Sequence, residues 1–255
     1  MSNSSLISFT KISPFKNAPR NHNIDTITIH CVVGQLSVES MGMFFSAPTT
    51  KASANYGIGS DGRIGMYVEE DSRSWCSSSP SNDNRAVTIE CACDSFHPYK
   101  VNDDVLKSLI LLVADICKRN GIKELKWKGD KSLIGQIDKQ NMTVHRWFKN
   151  KACPGEYLYN LHPYIADEVN KILLGVSQPI NPPTQVTDQG IVPKSGLVQV
   201  TYKGNDGVNV RKSPSMGNNI EQVVHDGTYT VVGISSDGNW YKLKSGLFIT
   251  TERLS

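Results

Sequence analysis

The sequence predicts an α/β domain, with a central mixed sheet flanked by helices, followed by a small all-β barrel. Three observations predict it. Strand-like and helix-like segments alternate up to about residue 175, a proline-rich stretch with no packable pattern comes next, and the remainder holds only short β-branched runs punctuated by Gly and Asp. The expected boundaries are 1–175 for the first domain, 176–195 for a linker and 196–255 for the second domain.

Residues 26–33, Thr-Ile-Thr-Ile-His-Cys-Val-Val, are β-branched and apolar and read as a buried strand with His30 near its far end. Residues 54–70 read as a hairpin in which Asn55-Tyr56-Gly57-Ile58 leads into Gly59-Ser60-Asp61-Gly62 and Arg63 to Val68 returns. Residues 86–93 form another strand. Alternation puts Val87, Ile89, Cys91 and Cys93 on one face and Thr88 and Glu90 on the other. Leu106, Leu109, Ile110, Val113, Ile116 and Cys117 recur at helical spacing, with Asn102 or Asp103 to cap the start and Gly121 beyond the end, so a helix is predicted over 103–119. Shorter helices are expected at 131–139 and 163–174. Four prolines among small polar residues in 176–195 cannot pack as an element. Strands are then expected at 197–202, 208–210, 222–224, 228–234, 240–244 and 247–249.

Composition narrows the function classes. Of 255 residues, 38% are hydrophobic, enough for a true core. The net charge of +3 is spread over the chain: from Gly196 onward six basic side chains face five acidic ones, so neither part is a polycation, and no nucleic-acid partner is expected. No apolar run approaches the ~18 residues of a membrane span, so no membrane insertion is expected. The first ten residues lack a basic start followed by an apolar run, so no secretory signal is expected. In that context Cys31, Cys76, Cys91, Cys93, Cys117 and Cys153 read as free thiols or ligands rather than a disulfide framework.

The strongest chemical candidate is His145 with Cys153, in His145-Arg-Trp-Phe-Lys-Asn-Lys151-Ala-Cys153-Pro-Gly. An imidazole and a thiolate are good zinc ligands, and a loop of this length lets both converge on one ion. A third protein ligand would leave the fourth position for water, and His30 at a strand end is a natural supplier. On spacing alone, the pair is as well explained by a surface-loop histidine and a buried thiol.

Thr28-Ile-His30, Asn55-Tyr-Gly-Ile-Gly-Ser-Asp-Gly62, Ile89-Glu90 and His145-Arg-Trp-Phe-x-x-Lys151-x-Cys153-Pro-Gly155 occur in that order. Together, over roughly residues 20–174, they resemble the zinc-dependent N-acetylmuramoyl-L-alanine amidases of the peptidoglycan-recognition-protein fold, found in phage endolysins and clostridial autolysins. The resemblance implies one zinc ion held by His30, His145 and Cys153. It implies Glu90 as the acid that handles the attacking water and Lys151 as the cation that steadies the developing oxyanion. It also implies a substrate groove that takes in Asn55, Tyr56 and Trp75. This chain has Ala54 where some members carry a catalytic tyrosine, and Asn55 and Cys76 where many carry histidine. The implied reaction is cleavage of the amide between N-acetylmuramic acid and L-alanine in bacterial peptidoglycan. Two other readings are a non-catalytic peptidoglycan-recognition module, which the complete ligand set argues against, and a zinc hydrolase of another wall bond. Absence of a signal fits a protein held in the host bacterial cytoplasm until it is released to the cell wall.

Other matches are weaker. Gly57-Ile-Gly59-Ser-Asp-Gly62 fits a dinucleotide-binding pattern, but a strand follows it instead of a helix. Cys91 and Cys93 read as packed thiols. His22, His97, His162 and His225 have no partner pattern. In the tail, Val208-Asn-Val-Arg211-Lys-Ser-Pro214-Ser, Trp240-Tyr-Lys-Leu and Gly246-Leu-Phe-Ile are similar to bacterial Src-homology-three-like domains, which implies binding to the cell wall. Trp240 and Tyr241 are then either ligand-stacking aromatics or core, and core is expected for at least one.

Overall fold

In a computed structural model of the protein, the described residues are 2–176, 191–202, 207–214, 219–224, 227–235 and 239–251. The chain divides into two compact units, Met1–Pro182 and Pro183–Ser255.

The first unit is built on strands β1 (Phe9–Thr10), β2 (Lys16–Asn17), β3 (Thr26–Val33), β4 (Tyr56–Ile58), β5 (Ile64–Met66), β6 (Arg73–Ser74), β7 (Ala86–Cys93) and β8 (Met142–Thr143), with helices α1 (Val38–Ser46), α2 (Pro80–Arg85), α3 (Asp103–Asn120) and α4 (Gly155–Leu173). Six strands form one mixed sheet in the order β1-β5-β4-β7-β3-β8, and β2 pairs separately with β6. The pairings β4–β7, β7–β3 and β3–β8 are parallel, and the hairpin β4–β5 is antiparallel. A central parallel strand is covered on both faces, which is why 26–33 and 86–93 read as near-continuous apolar runs.

Register sets the two faces. Thr28 lies opposite Thr88 and His30 opposite Glu90, while Thr28 pairs with Thr143 on the other side. Partners in register share a face, so one face carries Thr28, His30, Thr88, Glu90 and Thr143, and the other carries Ile27, Ile29, Val87 and Ile89. On the apolar side α3 packs against β7 and α4. Asn102 accepts the Val105 N–H at the start of α3, and Gly121 takes the left-handed cap (φ 73°) at its end, as the sequence predicts. On the other side α1 contributes Met41 and Phe45 to a cluster with Ala54, Tyr67, Cys76 and Ala92. Gly57 sits where that cluster presses on β4. A Cβ there would lie 2.7 Å from Tyr67 Cε2 and 2.8 Å from Met41 Sδ.

Four elements differ from expectation. Helix α4 begins at Gly155, so Pro163 lies inside it and leaves Tyr159 O without its helical donor; beside it the buried His162 donates through Nδ1 to Leu158 O (2.6 Å). Of 131–139 only Lys131–Leu133 is helical, as a 3-10 turn, and Gly135 (φ 84°) keeps the helix from continuing. Helices α1 and α2 have no counterpart in the sequence-based expectation.

The second unit comprises β9 (Ile191–Tyr202), β10 (Val208–Arg211), β11 (Ile220–Val224), β12 (Gly227–Ser235), β13 (Trp240–Leu243) and β14 (Phe248–Thr250), in one antiparallel sheet ordered β11-β10-β14-β13-β12-β9. Its all-β character matches the sequence reading. Strand β9 takes up 191–195, which the sequence pattern places in the linker. Ile191 and Val192 pair with Ser235 and Ile234, and Pro193 faces Gly233 beside a register shift. A proline without a ladder donor is accommodated on such an outermost strand. Residues 177–190 of the expected linker lie outside the described residues. Val208, Val210, Val231, Leu243 and Ile249 form the core, with Tyr241 packed against it.

Candidate metal centre and active site

His30 and Glu90 come together because β3 and β7 are parallel and in register. His30 is fully buried, and its Nδ1 lies 3.9 Å from Glu90 Oε1. His145 arrives from the far side of β3. It opens a 3-10 turn (His145–Trp147) directly after β8, and the Trp147 ring stacks on Trp127 at 5.1 Å, anchoring that turn. The His145 ring meets the His30 ring edge-on, centroids 5.1 Å apart. Cys153 is folded back to the same point: Arg146 N donates to Cys153 O at 3.1 Å, closing the loop, and Cys153 Sγ lies 3.4 Å from His30 Nδ1.

Donor atoms of His30, His145 and Cys153 thus all lie within 4.8 Å of one another. Their chemistry fits a metal. Nε2 of His30 and Oε2 of Glu90 are buried with no hydrogen-bond partner, and two imidazoles plus a thiol are a zinc-type donor set with one position left open. Burial and the neighbouring His145 hold His30 well below the ordinary histidine pKa, so its ring is neutral and available as a ligand. His145 is lowered by burial and by the Lys151 charge. A hydrogen bond from Cys31 pulls the Cys153 thiol down, but burial and Glu90 outweigh it and leave the thiol above its usual value.

Burial raises the Glu90 carboxyl to about 7, with a hydrogen bond from Cys76 pulling the other way. That bond, Cys76 Sγ to Glu90 Oε1, is 3.7 Å long. A second donor grouping, His30, Cys76 and Glu90, shares His30 with the first. Burial and the charges of Glu90 and Asp83 keep the Cys76 thiol protonated, so Cys76 serves Glu90 as a donor. Lys151 is exposed on the loop between the two later candidate ligands.

The expected groove residues separate. Asn55 is fully buried: its Nδ2 donates to the carbonyls of Val68, Glu69 and Ser72, and its Oδ1 accepts from Thr88 N at 3.1 Å. Tyr56 is fully buried too. Its hydroxyl donates to Glu70 Oε1 (2.7 Å) and accepts from Ser4 N (3.0 Å). Neither offers surface to a substrate, because the N-terminal segment and the 67–72 turn cover them. Trp75 is 38% exposed beside Cys76, its Nε1 donating to Asn17 Oδ1 at 2.7 Å and its ring 5.8 Å from Phe15. In the second unit Trp240 packs with Phe248 and is 7% exposed, so it belongs to the core and is not a stacking platform; Tyr241 is half-buried.

The sequence reading missed a polar network beneath the site. Thr28 and Thr143, each two residues before a histidine, share a 2.7 Å hydrogen bond. Buried Asn82 joins them, donating to Thr28 Oγ1 (3.0 Å) and accepting from Thr143 Oγ1 (2.9 Å). The repeated Thr-x-His spacing was a signal that could have revealed the threonines.

The chain belongs to the N-acetylmuramoyl-L-alanine amidase family, whose pattern matches residues 20–156. Bacterial peptidoglycan is accordingly its substrate class and the cell wall its place of action. Among solved structures, the chain is similar to a selenomethionine derivative of AmpD, at 16% identity and TM-score 0.49, covering 64% of this chain and 96% of that one. It is also similar to the endolysin N-acetylmuramoyl-L-alanine amidase LysCS from Clostridium intestinale URNW (17%, TM-score 0.42, covering 68% and 100%). Another such structure is the Staphylococcus aureus hydrolase AmiA in complex with its ligand (15%, TM-score 0.48, covering 70% and 89%). No curated protein matches the sequence. No helix among the described residues is long and apolar enough to cross a membrane.

Proposed function

We propose that the protein is a zinc-dependent amidase that cleaves the bond between N-acetylmuramic acid and the first L-alanine of the stem peptide. The observation that carries this reading is the convergence of His30, His145 and Cys153 donor atoms within 4.8 Å beside Glu90. Zinc held by those three side chains would lower the pKa of a water molecule enough to supply a nucleophile at neutral pH. Glu90 accepts that water's proton and passes it to the departing amine. The Glu90 carboxylate, beside the ligand His30, is placed for both halves of that transfer. Lys151 supplies positive charge for the oxygen that becomes anionic as the amide carbon turns tetrahedral. With Ala54 buried in the α1 cluster and no tyrosine at that place, Glu90 carries the proton transfer alone. Trp75, exposed beside Cys76, is the candidate aromatic for contact with the substrate. The second unit binds the wall, with Tyr241 as its candidate contact.

Chelator should abolish wall digestion and added zinc should restore it, while mass spectrometry of the digest should find new free L-alanine amino groups on intact stem peptides. Full activity in metal-free protein, or cleavage at another bond, overturns the assignment.

A further inference from the structure

The segment Cys76–Ser79 is held from within by two buried side chains. The Asp83 carboxylate accepts the N–H groups of Cys76 (3.0 Å) and Ser77 (3.1 Å). Asn82 Nδ2 donates to Ser77 Oγ at 3.2 Å, and Ser77 Oγ donates to Ser79 O at 3.4 Å. Asn82 is the same residue that ties Thr28 to Thr143, so this segment is braced on the two strands that lead into His30 and His145. Ser78, between these anchors, has φ 62°, in the left-handed region that a side chain seldom occupies. Glycine would relax this position. The chain instead keeps a hydroxyl there, and its Oγ lies 3.3 Å from Nε2 of His145.

We propose that Ser78 is a positioning residue of the metal site: its hydroxyl accepts the Nε2–H of His145 and fixes the ring so that Nδ1 faces His30 and Cys153. The inference rests on the zinc reading of the site. A ligating imidazole has one nitrogen for the ion and one N–H that needs an acceptor, and that acceptor sets both tautomer and ring angle. The turn that carries His145 is short and solvent-facing on one side, so without an acceptor the ring could rotate. Strain of this kind persists only where the surroundings over-determine it, and here the surroundings are Asp83 and Asn82.

The test uses the full-length protein with Ser78→Ala and Ser78→Gly. Zinc affinity is measured by competition with a chromophoric chelator, and the tautomer of His145 is read from long-range ¹H–¹⁵N correlations in the zinc-loaded wild type. Both variants should lose roughly tenfold to a hundredfold in zinc affinity. The metal-free Gly variant should melt no lower than wild type, because it relieves the strain, which separates loss of the hydroxyl from loss of structure. Wild-type His145 should be protonated at Nε2. Unchanged zinc affinity in both variants, or an Nδ1-protonated His145, overturns the role of Ser78 and leaves the zinc reading standing. A wild-type protein that binds no zinc overturns both.

Discussion

In the first unit, buried polar side chains on and beside the sheet are tied to partners: Thr28 to Thr143 and Asn82, Asn55 to Thr88, and, in the turn after β5, Glu70 to Tyr56 and to the half-buried Arg119 and Asn120 at the end of α3. In the second unit, Arg211 and Ser235 are the buried polar side chains among the described residues, and five aliphatic side chains form the core. Burying polar groups is costly unless each finds a partner, and a partly satisfied network is worse than an apolar core. The first unit bears that cost beneath His30, His145, Cys153 and Glu90, the groups the proposed reaction needs held in place. The second carries no donor cluster among its described residues and shows no such investment. On the proposed function, the contrast is that between a scaffold that positions reacting groups and one that presents a binding surface.

The strongest way to break this contrast is to remove the reacting groups. Glu90→Ala and Lys151→Ala should each lower turnover by roughly a hundredfold or more with zinc still bound, as measured by muropeptide hydrolysis and metal analysis. Near-wild-type rates with metal retained would leave a buried strand carboxylate and a solvated loop lysine. The site would then be a metal centre without the proposed acid and cation.

The next largest effect concerns the ends of the first unit. The family pattern starts at residue 20, yet earlier residues are structural. Phe9–Thr10 pairs with Gly65 and Met66, Ser4 N donates to the Tyr56 hydroxyl, and Asn3 Oδ1 accepts the Glu70 N–H. Deleting residues 2–19 would expose the β5 edge and leave those groups short of partners. The first unit should lose roughly 3 kcal/mol or more of stability in urea titration, since each buried group left unsatisfied costs about 1–3 kcal/mol. An unchanged midpoint would show that the N-terminal segment is dispensable trim.

These two tests touch parts that were unequally legible in the sequence. Strands β3 and β7 announced themselves because a doubly covered parallel strand must be apolar throughout, and α3 because period, N-cap and C-cap agreed. His30, His145 and Cys153, whose donor atoms the structure brings together, stood out through the family resemblance, because spacing alone fits a loop histidine and a buried thiol equally well. What failed was anything decided by a distant partner. Asn55 and Tyr56 look like polar groove residues, but whether they face solvent depends on Val68–Ser72 and Ser4, which fold over them. Pro163 looks like the first turn of a helix, and only the packing of α4 shows it to be interior. Trp240 and Tyr241 are adjacent aromatics that the strand pleat sends to different surroundings. Ser78 left no trace in composition, because its significance lies in a backbone angle.

A smaller effect concerns the buried face itself. Burial raises Glu90 from an ordinary value of 4.5 to about 7. The folded state therefore favours the protonated acid, so the stabilisation this group contributes is fully present below about pH 4.5 and is lost as pH rises through about 7. The depressed pKa of His30 acts in the opposite sense, costing stability as pH falls through its ordinary value, and it is present in wild type and variant alike. In chelator-treated protein, Glu90→Gln should therefore gain on wild type as pH climbs across that window. The gain should be roughly 3 kcal/mol at most, since one pKa unit is about 1.4 kcal/mol. A pH-independent difference would place Glu90 in contact with water.

The smallest expected effect is no effect at all, and it tests the division of labour directly. The proposed reacting groups, from His30 to Cys153, lie within residues 1–182, the first compact unit. A chain ending at Pro182 should hydrolyse a soluble muropeptide at the wild-type rate, because every proposed ligand, acid and cation is retained. The same truncation should weaken lysis of intact cells. A tethered wall binder raises the local concentration of the amidase at its polymer without adding catalytic contacts, a gain that vanishes when the substrate is small and free. A labelled fragment spanning 183–255 should decorate susceptible walls, and Tyr241→Ala should reduce that decoration without unfolding the sheet, since Trp240 and the five aliphatic core residues stay in place. Equal loss on both substrates would mean that the first unit needs the second to fold or to hold its site. A fragment that binds no wall would take the targeting role from the second unit while leaving the amidase chemistry of the first intact.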